Sequence, residues 1–334
     1  MSRAAAVFPG RGAYGPGSLR SLTQGHPWVR RADELRSDAG LRPLSEIDQA
    51  SSFDPALHLA PSNAWPLVFL CGLLDAERIA DDHEVVAVVA SSTGWYTALA
   101  ASGVLGFDDA FRLAQAMGNA AEEPLGNGTR PAEIIYPLTD DEWQPVDERI
   151  ERVGVALETG DGAAFLSVDL GAFAVIGGAS ADVEALATAL PAVRAGDRAF
   201  PLRLATADGW HTPLRAANLE AAAAGLGPMT WERPNVTLID GRGVRFTPWS
   251  TDPAELAEVS IRGQGATTYD FAAGFGVALR EFAPDVVLLA GPGGSLGAAC
   301  AQIVVMERYR GMRSRAEFEA AQSGPAPLLL SLRR

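Results

Sequence analysis

The sequence predicts an α/β protein in two parts: a larger domain built on a parallel sheet, and a smaller β-α-β-β-α-β unit inserted into it. Three observations carry this expectation. An unbroken apolar run at residues 85–90, VVAVVA, ends in a Ser/Thr/Gly turn and passes straight into helix-patterned sequence, as a buried strand feeding a helix does. Residues 132–205 instead show short apolar runs and amphipathic stretches in the order strand, helix, strand, strand, helix, strand. Residues 285–290, DVVLLA, close into a second glycine-rich turn, GPGGSLG, the punctuation of another strand-to-helix passage.

Taken in order, AAAVF at 4–8 reads as a strand running into a Gly/Pro loop, and a mostly helical region follows to about residue 80. After the strand at 85–90 comes a helix from residue 93, then FDDAFRLAQAMG at 107–118 with apolar residues at helical spacing. The inserted unit reads IIYPL as strand, DEWQPVDERIERVGVAL as helix, AAFLSVDL and AFAVIGG as a strand pair, DVEALATALPAV as helix and AFPLRLA as strand. That order is the split βαβ of a ferredoxin-like fold. The larger part then resumes with a helix after His211, a strand near 235–239, a helix over 269–282 and the strand at 285–290. The expected boundaries are 1–131 with 206–322 for the large domain, 132–205 for the small subdomain, and 323–334 as a C-terminal tail.

Composition narrows the chemistry. The chain has 334 residues, 48% hydrophobic and 20% charged, enough to bury a substantial core. The start, MSRAAAVFPGRG, lacks the apolar core of a signal peptide and no run is long enough for a membrane span, so a cytoplasmic, soluble protein is expected. Cys71 and Cys300 lie in apolar segments and read as buried thiols, and four histidines without metal-like spacing give no zinc signal. All 27 basic residues are arginine, which excludes Schiff bases, a P-loop lysine and Ser-Lys dyads. A net charge of −14 and a pI near 4.8 argue against nucleic acid.

The reactive feature is Ala90-Ser91-Ser92-Thr93-Gly94. A strand, a sharp turn and a helix start around one serine make a nucleophile elbow, the signature turn of an α/β-hydrolase-like sheet, which lifts a hydroxyl toward backbone N–H groups. The same residues are also ordinary turn and N-cap composition, and Ser91 competes with Ser92, although the register to Gly94 favours Ser92. His211 alone reads equally as a surface N-cap before Thr212-Pro213. The GPGG loop, without GK[ST] after it, reads as a structural turn.

Four blocks together resemble the malonyl-CoA:acyl-carrier-protein transacylases and the acyltransferase domains of fatty-acid and polyketide synthases. FPGRGAYG at 8–15 resembles the family's F-P-G-Q-G-S-Q loop, and residues 90–118 are similar to its G-H-S-L-G-E-Y-A-A-L block and following helix. ADGWHTPL at 207–214 resembles A-P-F-H-S-P-L around the family's histidine, and LAGPGGSLGA at 289–298 resembles its E-x-G-P-G-x-x-L block. The resemblance implies Ser92 as nucleophile, His211 as general base oriented by backbone carbonyls, and an oxyanion hole from the backbone N–H groups of Arg11 and Thr93. It also implies no permanently bound cofactor, an acyl-CoA thioester as substrate and the phosphopantetheine thiol of an acyl carrier protein as acceptor.

The departures from the family pattern fall where the acyl group would sit. Met117-Gly118 stands where malonyl-specific members have an Arg-Gly pair; Ser91 replaces a histidine, Trp65 a glutamine, Trp95 a glutamate and Trp210 a phenylalanine, and the N-x-N-x-P run appears as residues 167–171, SVDLG. Trp65, Ser91, Trp95, Met117 and Trp210 are therefore the expected substrate-pocket residues. A buried carboxylate stripped of its partner costs about 3 to 5 kcal/mol, whereas a buried CH₂ gains about 0.8 kcal/mol, so a neutral acyl group is expected in place of malonyl. Arg11 and Arg215 are the other arginines available to supply a charge. The alternatives are S-malonyltransferase activity proper, an acyl hydrolase that edits thioesters, and a non-catalytic carrier-binding protein. The run 308–315, RYRGMRSR, is either a carrier-docking patch or a solvated helix face.

Overall fold

The computed structural model describes residues 1–125, 128–160 and 162–333. Its strands are β1 (Arg3–Phe8), β2 (Glu84–Ala90), β3 (Pro131–Pro137), β4 (Ala164–Asp169), β5 (Phe173–Ala179), β6 (Val193–Ala195), β7 (Arg198–Phe200), β8 (Leu202–Arg203), β9 (Leu238–Ile239), β10 (Arg245–Phe246), β11 (Tyr269–Asp270), β12 (Val286–Leu289) and β13 (Leu329–Ser331). The central sheet runs β10-β9-β2-β1-β12-β13 and is parallel except for the antiparallel edge strand β10. Its middle strands are apolar on both faces because both are covered: Ala4, Ala6 and Phe8 of β1 join one core while Ala5 and Val7 join the other. The second sheet runs β11-β4-β5-β3-β8. Within it β8-β3-β5-β4, carrying the helices Asp147–Thr159 and Ser180–Ala189 on one face around Ile134, Tyr136, Ile176 and Val183, is the expected ferredoxin-like unit. The short strand β11, contributed by the larger part, pairs in parallel with β4 and ties the second sheet to the first.

Close backbone approach explains two glycines. The helix Gly94–Ala101 starts so near the end of β1 that a Cβ on Gly94 would lie 2.4 Å from the Phe8 carbonyl oxygen. The helices Pro61–Asp82 and Phe107–Glu122 meet at Gly118, where a Cβ would fall 2.7 Å from the Pro61 carbonyl oxygen. Neither site has room for any side chain.

Three expectations from the sequence require correction. The run AFPLRLA is not one strand: Phe200 ends β7, which pairs only with β6, and Leu202 begins β8 in the sheet. Pro201 between them has no N–H to offer a ladder. The helix read from residue 141 begins at Asp147, since Asp140 is spent on a turn, accepting from the N–H groups of Glu142 and Gln144.

The segment 323–333 is not a free tail. β13 extends the central sheet beside β12, and Arg333 reaches Asp75, which is fully buried, with Nε 2.9 and 2.8 Å from its two carboxylate oxygens. Arg333→Met leaves that carboxylate with only the Gly291 N–H at 2.9 Å. Urea unfolding is expected to show a loss of about 2 to 4 kcal/mol; an unchanged midpoint would show that the terminus does not stabilise the fold. Among the described residues, no helix is long and apolar enough to cross a membrane.

Candidate active site

Strand β2 delivers Ser92 to the carboxyl edge of the central sheet. Ser91 N–H donates to Phe8 O at 2.9 Å, and Gly94 and Trp95 N–H donate back to Ser91 and Ser92 carbonyls, each at 2.9 Å, so the chain turns sharply around Ser92. Ser92 itself has φ +51°, a left-handed conformation that costs a non-glycine residue about 1 to 3 kcal/mol. That turn lifts the hydroxyl out of the strand line and into a cleft of about 310 Å³ between the two sheets.

His211 comes from the connection that leaves the small sheet. It too has positive φ, +60°, and is almost wholly enclosed. Its turn is braced on every side: His211 N–H donates to Gly265 O at 2.8 Å, Ser167 Oγ on β4 donates to Trp210 O at 2.9 Å, and Thr212 Oγ1 donates to Gly209 O at 2.7 Å. The imidazole bridges the two groups that matter. Nε2 lies 2.7 Å from Ser92 Oγ, and Nδ1 lies 2.6 Å from the Gln264 carbonyl oxygen. A carbonyl only accepts, so Nδ1 carries the proton and Nε2 presents its lone pair to the serine hydroxyl. Burial pushes the imidazole pKa down to about 4, against the opposing effects of Gln264 and Asp208, which keeps the ring in its basic, neutral form at physiological pH.

Arg11 opens the short 3₁₀ turn Arg11–Ala13, and Thr93 precedes the helix Gly94–Ala101. First-turn amides have no intrahelical acceptor, and the two segments are in contact, since a Cβ on Gly10 would lie 3.4 Å from Ser92 Cβ. The Arg11 side chain, by contrast, extends along the cleft wall. Nη2 donates to Glu133 Oε2 at 2.9 Å and to Thr206 O at 3.2 Å, while Nη1 lies 2.9 Å from Asp208 Oδ2 in an ion pair without hydrogen-bond alignment.

Of the five residues expected to line the pocket, Ser91 and Trp210 border the cleft, and the other three do not. Trp65 is fully buried, stacked on Tyr96 at 5.9 Å and edge-on to Trp210 at 4.8 Å, so it backs the wall without reaching it. Met117 lies in the core of the large part. Trp95 points the other way: its indole N–H donates to Ser260 Oγ at 2.9 Å, and its ring lines a separate cavity of about 380 Å³ with Gln264 and Tyr269. That cavity is lined by no serine or histidine among the described residues. Each of the three is an aromatic or sulfur side chain on a helix face and is fully buried. Arg215 is likewise removed from the cleft, fully buried and donating to the carbonyls of Ala120, Ala121, Glu123 and Asp208.

Four site residues were not legible as such. Glu133 shows only as a lone acid in the strand PAEIIYP, Asp208 as the third residue before His211, Gln264 acts through its backbone, and Tyr269 lies tilted against His211 at a ring-centroid distance of 5.1 Å. The run 308–315 is not one helix face: Arg308 and Arg310 have positive φ, and Arg310 is tied to the Pro284 carbonyl at 3.0 Å. Among the described residues no group of acids, cysteines and histidines is arranged to hold a metal ion.

No protein-family model matches the chain. It is 26% identical over 306 residues to the malonyl CoA-acyl carrier protein transacylase of Salmonella typhimurium, covering 86% of this chain and 91% of that one. It is 27% identical over 272 residues to the enzyme of the same name from Haemophilus influenzae, covering 78% and 80%. The solved malonyl-CoA:acyl carrier protein transacylase of Xanthomonas oryzae superposes with a TM-score of 0.73 at 21% identity, over 96% of this chain and 98% of that one. The chain is similar over most of its length to the malonyl-CoA:acyl-carrier-protein transacylases. A malonyl-transacylase solved in complex with its type II polyketide synthase acyl-carrier protein shares the family's fold with it, at a TM-score of 0.75 and 19% identity over 100% of this chain and 96% of that one. The shared fold accounts for the two-sheet architecture with a cleft between the parts; the side chains inside the cleft are this chain's own.

Proposed function

We propose that this chain moves an acyl group from coenzyme A, through an ester on Ser92, to the phosphopantetheine thiol of an acyl carrier protein, and that the acyl group is uncharged. The observation that carries the reading is the 2.7 Å contact between Ser92 Oγ and His211 Nε2, with Nδ1 locked on a carbonyl. Ser92 Oγ attacks the thioester carbon as its proton passes to Nε2. The oxyanion faces the N–H groups of Arg11 and Thr93, the C–S bond breaks, and His211 returns the proton to the leaving thiolate. The carrier thiol then gives its proton to Nε2 and attacks the Ser92 ester, restoring the serine. Coenzyme A and the carrier enter as substrates, and the cycle needs no resident cofactor.

The preference for an uncharged acyl group is supported by the lack, among the described residues around the cleft, of an arginine left open for a substrate carboxylate. Met117 stands where malonyl-specific relatives carry an arginine, Arg215 is consumed by carbonyls, and Arg11 is already paired with two acids. The wall at Trp210, backed by Trp65, is apolar. Brief exposure to malonyl-, methylmalonyl-, acetyl-, butyryl- and longer acyl-CoAs, followed by intact-protein mass spectrometry and addition of a holo carrier protein, tests the whole reading. The expected result is an acetyl or larger neutral adduct that transfers to the carrier. A malonyl adduct in preference overturns the substrate class, free acid without carrier acylation makes the protein a hydrolase, and no adduct with no release of coenzyme A makes it a binding protein.

A further inference from the structure

Among the described residues that border the cleft, Arg11 is the only arginine. Its guanidinium spans the two parts of the molecule, reaching Glu133 on β3 and Asp208 on the turn that carries His211. Both carboxylates are enclosed, with side chains 4% and 2% exposed, while Arg11 keeps 14% and so presents an edge to the cleft. A carboxylate on an incoming acyl group would meet a cation already held by two acids of the protein, and would bring a third acid into the same enclosed space.

We propose that Glu133 and Asp208 are specificity-determining residues, which exclude carboxylated acyl groups by holding Arg11 in internal ion pairs. The inference rests on the uncharged-acyl reading above and adds to it a mechanism: the cation is present but withheld.

The two acids are anchored so that neither can swing aside. Glu133 Oε1 accepts from the N–H groups of Asp208 and Gly209 at 3.3 and 3.1 Å, and Asp208 Oδ1 accepts from Trp210 N–H at 2.9 Å. Burial and the neighbouring Asp208 push the Glu133 carboxyl up, against the pull of Arg11, so the guanidinium is the group that offsets the enclosure of the two acids.

Glu133→Gln and Asp208→Asn test this, since each keeps an oxygen for the backbone donors while removing one acid from Arg11. Wild type and both variants are loaded with malonyl-CoA and acetyl-CoA and read by intact mass. The malonyl-to-acetyl ratio is expected to rise roughly tenfold or more in each variant, and adding Arg11→Gln to either is expected to abolish the gain. A wild type that already prefers malonyl defeats the uncharged-acyl reading itself. A wild type that prefers acetyl, with folded variants that load acetyl yet gain no malonyl, overturns this proposal and leaves that reading intact. If neither variant folds, the malonyl-to-acetyl loading ratio of Arg11→Gln relative to wild type decides: an unchanged ratio is expected, and a fall in the ratio would show that Arg11 already serves substrate carboxylates.

Discussion

Replacing Ser92 by alanine is expected to abolish the acyl adduct and to lower kcat/KM for transfer by roughly five to six orders of magnitude, the scale on which a nucleophile acting with its base is lost. The effect is this large because the proposed mechanism carries the chemistry on one hydroxyl. Ser92 Oγ is the atom 2.7 Å from His211 Nε2, and the turn that holds it is itself strained. Alanine meets the same steric demand at φ +51° as serine does, so the variant keeps the turn and loses only the oxygen. Ser91 lies one residue away and also borders the cleft, which makes Ser91→Ala the matched control, expected to retain the adduct. Intact mass after acyl-CoA exposure separates the two. An adduct persisting in Ser92→Ala at the wild-type rate would move the nucleophile elsewhere and undo the proposed mechanism.

The second large effect concerns His211. His211→Ala is expected to cost about as much as Ser92→Ala, and the double variant little more, because the two groups act as a unit. The pH profile of the wild type gives a test that does not need a variant. A general base works only when neutral, and burial favours the neutral ring, drawing the imidazole pKa down to about 4 from its usual 6.5. The sign follows: kcat/KM for acyl loading stays level as pH falls through 6.5, where a solvent-exposed imidazole would protonate and fail, and declines only as pH approaches about 4. An acid limb centred between 6 and 7 would show that the ring is far more hydrated than its enclosure implies. The same depression makes the unfolded chain bind the proton first, so the contribution of His211 to stability is complete above pH 6.5 and is lost as pH falls toward about 4.

Much of the fold was legible because its signals are local. VVAVVASSTG specifies a buried strand, a tight turn and a helix start within ten residues, and each part depends only on near neighbours. The alternation across residues 132–205 revealed a separate β-rich unit for the same reason. The candidate pocket was less legible. Trp65, Trp95 and Met117 were read as lining because their residue types differ from the family pattern, but side-chain type does not say which way a helix face turns. Trp65 packs against Trp210 from behind, Trp95 faces Ser260, and Met117 is sealed between helices. The C-terminal residues were likewise read as a tail because LLLSL is too short to announce its partner, while β13 exists only where β12 offers an open edge.

The sequence by itself determined the strand–turn–helix around Ser92, the two-part α/β class and, through its complete lack of lysine, the exclusion of lysine chemistry. These follow from periodicity, turn residues and composition, which need no knowledge of the path of the chain. The tertiary structure alone decided what each reactive side chain faces. Ser92 meets His211 across 119 residues, Arg11 meets Glu133 across 122, and Asp75 meets Arg333 across 258. The physical reason is that desolvation and ion pairing act through space. Whether an arginine is an open receptor for a substrate carboxylate or is already bound to two of the protein's own is set by the crossing of distant strands, and no local pattern records it.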